Sequence, residues 1–449
     1  MKGCGWMRRE LSWRSPWLVV QTLAREFGQN GLVWLDGGGS PLAGIGRVGV
    51  APKQQLVCRG LPGDVGATDP FTALTAMATG RGHWMGWLAY EAGAWAEPGR
   101  HWKTPAMATL WAARHDPVLA INAAARQLWL EGSDSRAIAA MAALIEALPE
   151  PATAGQSEEA PGPDRARGLP LDQWHWHTSP GAFAEQVQRI RDWIACGDLF
   201  QANLTACVEQ PLPVGADLLG LYGQLRRSCP APFAGLAIAG DAAHGEAVLS
   251  ASPERFLQMD ANNWVETRPI KGTRPRHSDT EADAEAAADL ITSPKDRAEN
   301  VMIVDLLRND LGRVCNPGSV RVPQLVGLES YAQVHHLTSV VRGRLREGLG
   351  IAELLRACWP GGSISGAPKV RACQRLSELE PLPRGPYCGS LFRLAPDGSF
   401  DSSILIRSAF VGNSTVWAHA GCGIVADSEP ALEAEELGWK LQPLLEALA

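Results

Sequence analysis

Glu266-Thr-Arg-Pro-Ile-Lys271-Gly-Thr273, followed about one helix later by Asp296-Arg-Ala-Glu299-Asn-Val-Met-Ile-Val-Asp305, is the stretch around which the rest of the chain is organised. The first segment puts a lysine on a strand that ends in a glycine turn. The second has helical character from Ser293 to Val314, with Ser293 as cap and Pro294 at the first helical position. Asp296 and Glu299 are three residues apart and therefore share one helix face. An amine beside a backbone turn, with paired carboxylates near it, suits covalent chemistry on an acidic, metal-bound substrate.

Outward from this stretch, the pattern alternates strands and helices. Ser179 to Cys196 has helical periodicity (Phe183, Val187, Ile190, Ile194), and Phe200 to Thr205 follows as a strand. Phe233 to Ala251 reads as further strand. After the Glu299 helix come strands near Val320 to Val326 and Thr338 to Leu345, and a helix over Ile351 to Cys358. Three more strands follow, near Gly389 to Leu394, Ser403 to Val411 and Val416 to Ala420, before a last helix from about Pro430. Antiparallel strands with helices inserted between them give an α+β class. Residues 1–150, rich in tryptophan and poor in motifs, form an N-terminal subdomain whose tryptophans are core or line a small effector pocket. Residues 151–168, crowded with Pro, Gly, Glu and Ala, read as a linker or loop. Residues 169–449 carry the chemistry.

The 449 residues can bury a large core, in one big domain or two intertwined ones. With 45% hydrophobic and 20% charged residues the chain is not disordered. A net charge of -7 gives no field for nucleic acid. No apolar run approaches the ~20 residues of a membrane span. The ten cysteines contain no CxxC pair, so neither a zinc knuckle nor a disulfide framework is indicated. These features describe a cytoplasmic enzyme.

Each chemical constellation has a structural alternative. Asp296 and Glu299, and Glu433 and Glu436 after Ser428-Glu-Pro430, complement helix dipoles or bring four carboxylates to one Mg²⁺. Pro360-Gly-Gly-Ser363-Ile-Ser365-Gly366-Ala-Pro368-Lys369 is a tight turn or an anion cradle. It lacks the GK[ST] step of a P-loop. Ala420-Gly421-Cys422-Gly423 marks a close backbone approach rather than a nucleophile elbow. Lys271 is a solvated strand lysine or, if desolvated, a nucleophile, and His336 and Glu254 are acid or base candidates.

Ser-Pro-Glu254-Arg-Phe, Pro-Ile-Lys271-Gly-Thr-Arg-Pro-Arg, Glu299-Asn-Val-Met-Ile-Val-Asp-Leu-Leu-Arg-Asn-Asp, the Gly361 loop and Gly423-Ile-Val-Ala-Asp-Ser together resemble, in order and spacing, the chorismate-binding enzymes. The resemblance covers about 170–449. It implies a fold of two antiparallel β-sheets packed as a sandwich with helices outside, like that of anthranilate synthase component I. It implies Lys271 as nucleophile, Glu254 as general acid, and His336, Thr273, Gly272 and Tyr387 in the pocket. Glu299 and Glu436 are expected as direct Mg²⁺ ligands, with Asp296 and Glu433 on metal-bound water. Arg407, Lys440 and the backbone at Gly421, Cys422 and Gly423 are expected to grip a carboxylate. Gln201 stands where isochorismate and salicylate synthases carry a water-activating lysine, so ammonia rather than water is implied. Lys271 replaces the alanine of anthranilate synthases. The pair points to the aminodeoxychorismate synthase branch, with anthranilate synthase as the alternative. A separate glutamine amidotransferase subunit is implied as the ammonia source. Cys422, Ser365, Ala434 and Leu437 depart from the commoner family residues without removing a reacting group.

Overall fold

The computed structural model describes residues 6–37, 44–78, 81–150, 168–331 and 334–449. Two antiparallel sheets form its centre. The first takes Val33–Asp36, Gly46–Gly49, Val118–Asn122 and Gln127–Gly132 from the N-terminal part. It continues through Phe233–Gly240, Glu246–Ser252, Ser408–Gly412 and Thr415–Ile424 to Gln201–Pro211. The second joins Gln54–Cys58, His83–Leu88 and Leu110–His115 to Ser390–Leu394, Phe400–Ile404, Arg255–Met259 and the strands around Lys271. The expected boundary near residue 150 therefore falls between strands that complete the same two sheets.

Strand alternation sorts the core into layers. Along Thr415–Ile424, Val416, Ala418, Ala420, Cys422 and Ile424 pack with the helices Pro16–Phe27, Pro180–Ala195 and Pro430–Leu448. The opposite face of that sheet meets the second sheet, where Ala237, Val248 and Phe410 pack with Trp87, Leu391 and Phe392. The approach is close at Gly235, where an added Cβ would lie 2.5 Å from Leu391 Cδ2. The helices Pro294–Val314 and Ile351–Cys358 cover the second sheet through Ile303, Leu307, Leu354 and Leu355.

The buried tryptophans are core. Trp34, Trp87 and Trp111 are fully buried. Trp87 stacks on Trp111 at 4.8 Å, and their indole N–H groups donate to Ala108 O and Gln55 Oε1. A cavity of about 200 Å³ beside Trp34, Asp36 and Ile121 is the N-terminal space nearest to the expected effector pocket. The expected linker lies, apart from Gly168, outside the described residues. The chain returns against its own C-terminus, where Leu169 N donates to Leu448 O.

Two readings change. The run expected as one strand from Ser403 to Val411 is two, Phe400–Ile404 and Ser408–Gly412, separated at Arg407 by a left-handed φ of 50°. Phe233 to Ala251 likewise divides at a turn spanning Asp241 to Gly245. Among the described residues no helix is long and apolar enough to cross a membrane.

Candidate active site

A cavity of about 640 Å³ opens at one end of the paired sheets and collects Lys271, Glu254, His336, Thr273, Gly272, Tyr387, Arg407 and Lys440. The Lys271 strand, Ile270–Pro275, pairs with Val334–Arg344. Ile270 faces Thr338 and Thr273 faces His336, so three steps on one strand match two on the other. The extra residue is a bulge that re-aims Lys271. Gly272 follows at φ 80°, and an added Cβ there would lie 2.8 Å from Leu290 Cδ1 and 2.9 Å from Asp296 Cβ. Glycine is thus required for the conformation and for the close approach of the acidic helix.

Lys271 faces the cavity with its side chain 14% exposed, and its nearest carboxylate, Glu299 Oε2, is 3.9 Å away. Burial lowers its pKa, against the pull of Glu299 and Glu254. Glu254 is buried, and its backbone is fixed by Ser252 Oγ and by Ile404 N. Burial pushes its carboxyl up to about 7, although a hydrogen bond from Ser363 and the charge of Lys271 oppose the shift. A carboxyl poised there can carry a proton at neutral pH. His336 Nδ1 lies 2.9 Å from Thr273 Oγ1, and burial followed by Arg407 holds it down to about 4. It is a neutral imidazole.

The four acids line the same cavity, Asp296 and Glu433 from the first turns of two helices and Glu299 and Glu436 from the turns that follow. Ser293 Oγ accepts from Asp296 N at the start of the first helix. One residue past Glu299, buried Asn300 donates to Leu337 O and accepts from Ser339 Oγ, which locks that helix to the His336 strand. The C-terminal helix buries Leu437, Leu441, Leu444 and Leu448, leaving Glu433, Glu436 and Lys440 along one edge. Burial raises Glu299 above its ordinary value against the pull of Lys271 and Lys295, and the charges of Asp296 and Glu433 add to the rise. Cations partly offset them: Arg274 lies 3.3 Å from Asp296, and Lys440 lies 2.6 Å from Glu436. Carboxylates of two helices thus line one cavity, and oxygen donors of this kind are what a hard cation takes. Among the described residues the one group of three donors within 4.8 Å of one another is Cys422 Sγ with Glu433 and Glu436, and both carboxylates belong to the C-terminal helix.

The expected carboxylate grip is distributed over a rim and a floor. Lys440 Nζ donates to Gly421 O. Arg407 is exposed at the rim and has no carboxylate partner among the described residues. The Cys422 side chain does not face the cavity. By alternation it points into the helix layer, with Sγ 3.5 Å from Glu433 O. Gly423 is the position where bulk would intrude: an added Cβ would lie 2.6 Å from Gln201 Nε2 and 3.4 Å from Lys271 Nζ. Gln201 is fully buried, and neither atom of its amide has a hydrogen-bond partner among the described residues.

Asn203, Thr205, His419 and Trp439 also line the cavity beyond the sequence-predicted set, as does Ser363 of the glycine loop. Two-residue alternation from Gln201 reaches Asn203 and Thr205, and from Gly421 it reaches His419, so the signal was present on strands already read. Ser363 and Trp439 carry no such signal. His419 stacks on Tyr387 with ring centroids 4.8 Å apart, and burial holds it down to about 3.

The aminodeoxychorismate synthase component 1 of Klebsiella aerogenes is 46% identical over 275 residues, 61% of this chain and 59% of that protein. The anthranilate synthase component 1 of Streptomyces coelicolor is 42% identical over 300 residues, 64% of this chain and 57% of that protein. The matched stretch thus spans about three-fifths of the length of these curated relatives. The solved anthranilate synthase component I of Streptococcus pneumoniae superposes with a TM-score of 0.75 at 28% identity, covering 90% of this chain and 93% of that one. Residues 52–446 match the family pattern described as chorismate binding enzyme, and the chain belongs to that family.

Proposed function

We propose that the chain is the synthase component of an aminodeoxychorismate synthase, an amino-group transferase that converts chorismate and ammonia to 4-amino-4-deoxychorismate and water. The observation that carries this reading is Lys271, an amine with lowered pKa that faces the cavity beside a carboxyl raised to about 7. In the proposed sequence the Lys271 amine bonds to C2 of chorismate as the C4–O bond breaks. Glu254 gives its proton to the departing hydroxyl, which leaves as water. Ammonia then bonds to C4, the C2–N bond breaks, and Lys271 is released. Two easier displacements replace one hard one. Neutral His336 keeps the pocket wall polar without adding charge. Gln201, a buried amide beside Lys271, is a hydrogen-bonding group for the ring substituents or the incoming amine. Arg407 and Lys440 suit the substrate carboxylates.

Glu299 and Glu436 would hold Mg²⁺ directly, with Asp296 and Glu433 on its waters; when bound, such an ion offsets substrate carboxylate charge. The ammonia source in this reading is a separate glutamine amidotransferase subunit. A cytoplasmic setting accords with the nine free cysteines among the described residues.

The relatives include both aminodeoxychorismate and anthranilate synthases, and the product separates the two. Chorismate, ammonium and Mg²⁺ are incubated with the protein, and products are resolved by chromatography with mass detection. 4-Amino-4-deoxychorismate, with a chorismate-derived adduct trapped on Lys271, is expected. Anthranilate and pyruvate without an adduct would transfer the assignment to anthranilate synthase.

A further inference from the structure

The strands Gln201–Pro211 and Thr415–Ile424 lie side by side for ten residue pairs and pass beneath two cavities. Asn203 opposite Gly423 and Thr205 opposite Gly421 floor the active-site cavity. The next two inward-facing pairs, Cys207 opposite His419 and Glu209 opposite Trp417, floor a second cavity of about 210 Å³. His419 lines both. This imidazole, with the Tyr387 ring stacked on it, stands where the two cavities meet.

The second cavity is chemically unlike the first. Its walls are mostly apolar, with Met107, Leu382, Pro386 and Phe410. Its one lining cation, Arg384, is committed: the guanidinium bonds both Glu380 oxygens, Ile364 O and Asn203 O. Its one carboxylate, Glu209, is a third exposed, accepts from Trp417 Nε1 at 2.8 Å and lies 3.2 Å from His177 Nε2. A carboxylate beside the Trp417 indole, with no Arg or Lys partner among the described residues, suits a small cation. The apolar stretch behind it favours a neutral molecule over a charged one. His419, neutral through burial, places no positive charge on the path.

We propose that this second cavity is the ammonia inlet. Ammonium is taken up at Glu209 and Trp417, gives its proton to water at that outer end, and passes as ammonia beside His419 to the floor formed by Thr205 and Gly421. A rotation of one imidazole side chain is the motion the passage requires, and side-chain rotations are fast compared with turnover. The inlet rests on the reading that ammonia is the second reactant. It adds a route separate from the opening rimmed by Arg407 and Lys440, where a diacid enters.

The test is steady-state amination of chorismate with ammonium chloride as the only nitrogen source. Glu209→Gln removes the charge at the outer end, and Cys207→Phe and Met107→Trp fill the passage from different walls. Each is expected to raise the KM for ammonium about tenfold or more while leaving the KM for chorismate and the yield of Lys271 adduct unchanged. In Glu209→Gln, kcat at saturating ammonium is expected to return to the parent value. An unchanged ammonium KM in Glu209→Gln and in whichever filled variant folds would overturn the inlet, as would a parallel rise in both KM values. Failure of the parent protein to aminate chorismate or form the adduct would instead overturn the functional reading.

Discussion

Lys271 and Lys369 both border glycine turns. The fold treats them oppositely. Lys369 Nζ is 2.5 Å from Asp310 Oδ2 and 3.1 Å from Cys358 O, with both side chains buried. Its charge is consumed inside the protein. Lys271 has no carboxylate closer than 3.9 Å among the described residues and faces an open cavity. A buried ion pair in which each partner needs the other is a structural element. An amine desolvated without a tight counter-ion is held ready to give up its charge.

The largest expected difference is catalytic. Lys271→Ala should lower turnover of chorismate with ammonium by on the order of 10³-fold or more and abolish the adduct, because the proposed nucleophile is gone. Its thermal transition should not fall, since a partly desolvated amine is removed. A large loss of stability in this variant would erase the contrast with Lys369.

Lys369→Met should do the reverse. It leaves the buried Asp310 carboxylate with only the half-exposed Arg313 at 3.4 Å, and urea unfolding should show a loss of about 3 kcal/mol. The KM for chorismate of the folded fraction should stay unchanged. Adding Asp310→Leu should recover much of the loss.

Glu254 gives a pH-dependent effect. Burial raises its folded pKa to about 7 from an ordinary 4.5, so the folded state binds its proton more tightly than the unfolded chain does. The associated stability is present below 4.5 and is lost as pH rises through 7. Glu254→Gln, which has no such proton to lose, should be more stable than the parent at pH 8 by up to about 3 kcal/mol. Thermal scans should show the gap closing toward pH 4.5. The same variant should lose turnover by about 10²-fold as the general acid is removed.

The smallest effect concerns the cap of the acidic helix. Ser293→Ala removes the acceptor for Asp296 N and should cost about 1 kcal/mol by urea unfolding. Isothermal titration of Mg²⁺ should show weakened binding, because Asp296 sits in the turn that loosens and Glu299 in the one that follows.

The contrast between the lysines also marks what could be read in advance. Both acidic helices were legible because Ser293-Pro294 and Pro430 are local start signals, and the helices begin at Pro294 and Pro430. Cross-strand placement was legible wherever a two-residue period could be followed. The Lys369 partner was not, because Asp310 lies 59 positions earlier on a different helix and no local rule joins them. The bulge at Lys271 and the break at Arg407 were hidden for a related reason. Each depends on register against a distant strand, and register is set by the whole sheet rather than by the residues that bend.

The interleaving of early and late strands in both sheets has a practical consequence. Neither sheet is whole without segments from both sides of residue 150. Polypeptides 1–150 and 168–449, produced separately, should each expose unpaired sheet edges and precipitate alone. Refolded together they should reassemble into a nicked enzyme, with activity restored in proportion to the scarcer half.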